Sequence, residues 1–114
     1  MAYILMDETQ TDPLAPERAA YLAVSRASID AILDAKTISE TGPPDRALAA
    51  LRHMAELQTA VLVAHDRFVR RADEIGLHWA ELARLREGRA ALALQMQRTL
   101  AALRCRELGQ APPP

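Results

Sequence analysis

His53, His65 and His78 carry the side chains of this chain best suited to binding a metal or moving a proton near neutral pH. His53 and His65 fall on one helical stretch, but twelve positions separate them, more than three turns, so they cannot share an ion. No His-Glu-x-x-His spacing occurs, and no carboxylate stands where it would complete a histidine pair. His65 borders an apolar stripe, the setting of a hydrogen-bonded core histidine. Two acid pairs, Asp30 with Asp34 and Asp73 with Glu74, would suit general acid–base work if buried, yet both sit among polar neighbours. The single cysteine, Cys105, excludes an internal disulfide and a cysteine-based zinc site. Gly-rich phosphate loops and nucleophile elbows are missing. The expectation is a binding protein, not an enzyme, with no cofactor and no metal.

The elements that would position a binding surface are helical. Half of the 114 residues are hydrophobic but only 4% are aromatic, so the apolar mass is Ala and Leu, which favours helix–helix packing. The predicted fold is all-α: a small helical bundle with a long central helix followed by a helix-turn-helix-like pair. Residues 1–16 read as a flexible arm, 17–108 as one helical domain, and 109–114 as a disordered Pro-rich tail. A first helix is expected from Pro16 to about Thr37, with Leu22, Ser25, Ile29, Ile32 and Leu33 as its apolar stripe. The run Ser39-Glu-Thr-Gly-Pro-Pro44 breaks it. Asp45 is a suitable N-cap for a second helix reaching Ile75, closed by Gly76. Its core stripe is Met54, Leu57, Val61, Ala64, Phe68, Ala72 and Ile75, and Leu51, Leu62 and Val69 make a second strip, enough to touch two neighbours.

The C-terminal half admits two readings. In the favoured one a short helix from His78 to about Leu85 is followed by a turn at Arg86-Glu87-Gly88. A last helix then runs from Arg89 to Leu108, with Leu92, Met96, Leu100 and Leu103 inward. In the other, His78–Leu108 is a single helix with a heptad seam of Leu82, Leu85, Arg89, Leu92, Met96, Thr99 and Leu103, interrupted by Arg89 and Thr99.

The segment Ile75-Gly-Leu-His-Trp-Ala-Glu-Leu-Ala-Arg-Leu85 resembles the first motif helix of bacterial helix-turn-helix DNA-binding regulators that carry a Trp-Ala-Glu-Leu/Ile-Ala pattern. Residues 75–85 match that pattern well, and the outline extends over roughly residues 48 to 98. Past Leu85 the chain departs from it, with Arg86, Glu87, Gly88 and Arg89 where the family carries a hydrophobic–Gly–hydrophobic–Ser run. The resemblance implies a transcription regulator, dimeric so that two motifs share one site. Gln95, Gln97 and Arg98 would then face base edges in double-stranded DNA, and Arg84, Arg86 and Arg89 would contact phosphates.

Charge distribution leans the same way. Net charge is −1 overall, but residues 1–64 hold five Lys/Arg against nine Asp/Glu, and residues 65–114 hold nine Arg against six. The competing reading is a helical adaptor that docks on a partner protein. Its contacts would be Leu94, Val63 and the Tyr3-Ile4-Leu5-Met6 strip, apolar groups without an internal home. An unbroken helix at Gly88 favours the adaptor, and a turn there favours DNA. No run approaches the ~20 apolar residues of a membrane span. The first residues lack the basic start of a signal peptide, so the expected address is cytoplasmic.

Overall fold

A computed structural model describes residues 12–76 and 79–111. Three helices account for nearly all of them: α1 (Ala15–Thr41), α2 (Pro44–Ile75) and α3 (Trp79–Glu107). They run up, down and up, and each packs against both others. The described residues contain no strand.

Local chemistry sets each boundary. Asp12 folds the entry to α1 back on itself: its side chain accepts from the Leu14 N–H at 3.1 Å, and its carbonyl accepts from the Ala15 N–H at 3.2 Å. Leu14 is thereby fully buried, and α1 begins at Ala15. Residues 1–11, with the Tyr3–Met6 strip, lie outside the described residues. Pro16 occupies the first turn of α1, where its missing N–H costs nothing.

α1 runs to Thr41, four residues past the predicted end, and only Gly42 and Pro43 join it to α2. Gly42 is required there for space. A Cβ on it would come within 2.7 Å of the Ile38 carbonyl oxygen, and Pro43 forces the residue before it into extended backbone. α2 then opens on Pro44. The N-cap is Pro43 and not Asp45, which sits in the first turn instead and complements the helix dipole. Gly76 ends α2 in the left-handed conformation (φ 71°), with its N–H donating to the carbonyls of Ala72 and Asp73. The end of α3 is capped as well. The Gly109 N–H bonds to the Arg106 carbonyl (3.2 Å) and the Gln110 N–H to that of Cys105 (2.8 Å), so the first residues after α3 cap it; residues 112–114 lie outside the described residues.

The main correction concerns α3. Gly88 lies inside it, and no turn separates residues 85 and 89, so the expected helix-turn-helix-like pair is one helix of 29 residues. The physical reason is the register of its buried side. Leu82, Met96 and Leu103 are fully buried, with Leu85, Leu92 and Leu100 packed beside them. Only an uninterrupted helix keeps these residues on one face. Burying each large apolar side chain contributes about 1.5–3 kcal/mol, which outweighs the ~1 kcal/mol that a helical glycine costs.

α2 follows its predicted stripe closely: Met54, Leu57, Val61, Ala64, Phe68 and Ala72 are buried, and Ile75 is partly so. α1 does not. Its buried residues recur every seven positions, Tyr21, Ser28 and Ala35 continuing from Leu14. Of the predicted stripe, Ile32 packs against the core and Ser25 is partly buried, but Leu22, Ile29 and Leu33 are 47%, 50% and 64% exposed.

Candidate interaction surface

Two contacts fix how α1 and α3 lie together. At one end Arg18 forms an ion pair with Glu81, holds Asp12 at 3.2 Å, and stacks its guanidinium 5.3 Å from the centre of the Phe68 ring. Its carboxylate partners, Glu81 first, hold the Arg18 guanidinium above its ordinary pKa against the opposing effect of burial. At the other end the Arg106 Nε donates to the Gly42 carbonyl at 2.6 Å. The paired residues are separated by 63 and 64 positions respectively. α1 and α3 are therefore parallel and in constant register along their length.

That register places Ser25 level with Arg89, inside the bundle. Ser25 Oγ, His65 Nε2 and Arg89 Nε are all buried without a protein hydrogen-bond partner. His65 is 6% exposed, its ring centroid 6.1 Å from that of Tyr21 and its Nδ1 3.7 Å from an Asp66 carboxylate oxygen. Burial lowers its pKa below the ordinary 6.5, and Arg89 pushes the same way, more strongly together than Asp66 pulls it up. The expected core histidine is thus in the core, with one nitrogen lacking the partner that was anticipated. His65 on α2 lies within reach of the charges of Arg89 and Arg86 on α3, which disfavour its protonation.

The six residues predicted to meet DNA are spread around α3. Arg84, Gln95 and Arg98 share the side next to α1 and are exposed. Arg86 and Gln97 are exposed on the side toward α2, and Arg89 points inward, partly buried. Gln95 and Gln97, two residues apart, are about 200° apart on a helix. They cannot enter one groove of a duplex together. The grouping requires a second helix starting at Arg89, which the continuous α3 does not provide.

A different surface emerges where α1 meets α3. Leu22, Arg26, Ile29, Leu33 and Lys36 follow one another at steps of three and four, so they form one exposed strip on α1. On α3 the matching strip is Arg84, Gly88, Ala91, Gln95, Arg98 and Ala102. Between them runs a groove with two depressions. One, of about 270 Å³, lies against Leu22, Phe68, Arg84 and Gly88; the other, of about 230 Å³, lies against Leu33, Lys36, Arg98 and Ala102. Two hollows between α1 and α2 are larger, about 530 and 490 Å³, but alanines line much of them, and among the described residues that line them Val63 is the only large exposed apolar side chain. Leu62 and Leu94 are exposed singly elsewhere. Sequence reasoning missed the α1–α3 strip because its leucines and isoleucine were assigned to the core.

Among the described residues no three His, Cys, Asp or Glu side chains gather as metal ligands, and no helix is long and apolar enough to cross a membrane. No protein-family model matches the chain, no curated protein is significantly similar to it, and no solved structure matches it.

Proposed function

We propose that the protein is a non-catalytic helical interaction module that docks on a partner protein through the α1–α3 face. One observation carries this reading: Leu22, Ile29 and Leu33 are each about half exposed or more on a single strip beside a groove. Contiguous apolar surface on a small helical domain marks a contact site more often than chance exposure. The unbroken α3 supports the same choice, since the alternative needed a turn at Gly88.

A photo-crosslinking amino acid at position 29, compared with one at the exposed position 52 on α2, tests the reading in the cells that make the protein. A discrete protein adduct formed from position 29 and not from position 52 is expected. Adducts from both positions alike, or from neither, refute it.

The nucleic-acid reading retains one supporting observation, the arginines exposed along α3. It then becomes phosphate binding without base readout, and a shift assay on sheared genomic duplex separates the two. Affinity that falls steeply with added salt and depends on Arg84 and Arg98 favours DNA. A homodimer through the α1–α3 face would set Arg26, Lys36, Arg84 and Arg98 against their own copies, so charge disfavours self-pairing there.

A further inference from the structure

Resting on the interaction reading above, we infer that the α1–α3 groove takes an amphipathic helix of the partner whose apolar edge is flanked by Asp and Glu. Shape comes first. On the α3 side the wall is low: Gly88, Ala91 and Ala102 project little, and a Cβ built on Gly88 meets nothing within 4 Å. Opposite stand Leu22, Ile29 and Leu33, spaced by seven and four residues. A low wall facing a row of large apolar side chains, along two parallel helices in constant register, seats a fourth helix with i, i+3, i+4 and i+7 anchors.

Charge then selects among helices. Four cations rim the groove, Arg26 and Lys36 on α1 and Arg84 and Arg98 on α3, and none makes an ion pair among the described residues. The two strips themselves carry no acid from Leu22 to Lys36 or from Arg84 to Ala102; Asp30, Asp34 and Glu87 lie outside them on the same helices, and Glu81, which borders the first depression, is paired with Arg18. A basic or neutral helix would leave these four charges unanswered or opposed, and a second copy of the chain would bring four more. Leu22, Ile29 and Leu33 equally need an apolar counterpart, which a phosphate backbone does not supply.

The test is selection from a displayed library of 18-residue amphipathic helices with a fixed Leu/Ile edge and randomised flanks, carried out on the full chain. Enrichment of Asp and Glu at the flanks is expected. The selected peptides should bind Ile29→Glu, and the double variant Arg26→Glu/Lys36→Glu, at least tenfold more weakly than the native chain. All three substituted positions are exposed, and circular dichroism verifies that the variants remain folded. On methyl-labelled protein, shifts should concentrate at Leu22, Ile29, Leu33 and Leu85. Flanks that enrich as neutral or basic overturn the inference. So do binders unaffected by Ile29→Glu whose shifts map to Val63 or Leu94, a result that leaves the broader interaction reading standing. A library that yields no binder, together with no adduct from position 29 in cells, removes both.

Discussion

Gly88 divides the two architectures that this sequence allows, and substituting it reads out which one exists. Inside α3 the residue has helical backbone, is exposed, and has open space where a Cβ would stand. Gly88→Ala therefore adds a methyl group without a clash and removes backbone freedom from the unfolded chain. The expected gain is about 1 kcal/mol, the difference between glycine and alanine in a helix interior. With a denaturant slope of about 1–2 kcal/mol/M, that moves the urea midpoint up by roughly 0.5–1 M, and the melting temperature by about 4 °C for a domain of this size. Gly76 is the internal control. Its φ of 71° is open to glycine but strained for alanine, so Gly76→Ala should lose about 1–2 kcal/mol although its Cβ also meets nothing. Gly88→Pro should lose ~3 kcal/mol or more, because it deletes a mid-helix hydrogen bond. Urea titrations followed by circular dichroism measure all three. If Gly88→Ala destabilises to the same degree as Gly76→Ala, or Gly88→Pro is tolerated, the chain turns at that point and the single-helix account of α3 is wrong.

Two further outcomes follow from the core and the ends of the bundle. His65 has a folded-state pKa below its ordinary 6.5, because burial and Arg89 disfavour the imidazolium. The unfolded chain therefore binds the proton first, so this contribution to stability is complete above about pH 6.5 and is lost as pH falls below it. Urea midpoints at pH 7.5, 6.5 and 5.5 should show that decline, and His65→Leu should flatten it; an unchanged slope would place the titrating group elsewhere. Arg106→Ala removes a charge-assisted bond to the Gly42 carbonyl, at a cost of about 1–2 kcal/mol given its partial exposure. Hydrogen exchange should then speed up at the α1–α2 junction while amides near Arg18 keep their protection, and uniform acceleration would mean that the two ends do not open independently.

Much of this architecture is legible from residue order because α2 obeys one simple rule. Its apolar residues at steps of three and four match the buried face nearly one for one, and Gly42-Pro43 and Gly76 punctuate it by mechanisms local to the chain. α3 was harder. Gly88 and the charges Arg86 and Glu87 look like a turn when judged locally, and the cue against one is the seven-residue recurrence of Leu82, Arg89, Met96 and Leu103. Arg89 in that series looked like a flaw. In the bundle it stands at the level of Ser25 and near enough to His65 to act on its charge, so the interruption coincides with buried polar atoms on all three helices. No reading of α3 alone shows that.

α1 carries the most instructive difference, and it bears directly on function. Periodicity identifies an apolar face but does not say what covers it. Leu22, Ile29 and Leu33 satisfy the helical rule as well as any core stripe, and by spacing alone they read as core. The bundle instead buries Leu14, Tyr21, Ser28 and Ala35, a row that contains a hydroxyl and a single methyl group. The small pair has a packing reason: the Ser28 hydroxyl bonds to the Val24 carbonyl of its own helix, so the side chain enters the core without an unsatisfied group. Small residues at these positions let α1 approach its neighbours closely, and that approach leaves the larger side chains on the outside. A helix with two apolar faces, one of them narrow and already filled, has a second face still to be covered. The misassigned stripe and the proposed docking strip are thus the same three residues, and the same substitution tests both. Ile29→Glu should leave the unfolding free energy from urea titration nearly unchanged if Ile29 faces water, and lower it by several kcal/mol if Ile29 belongs to the core.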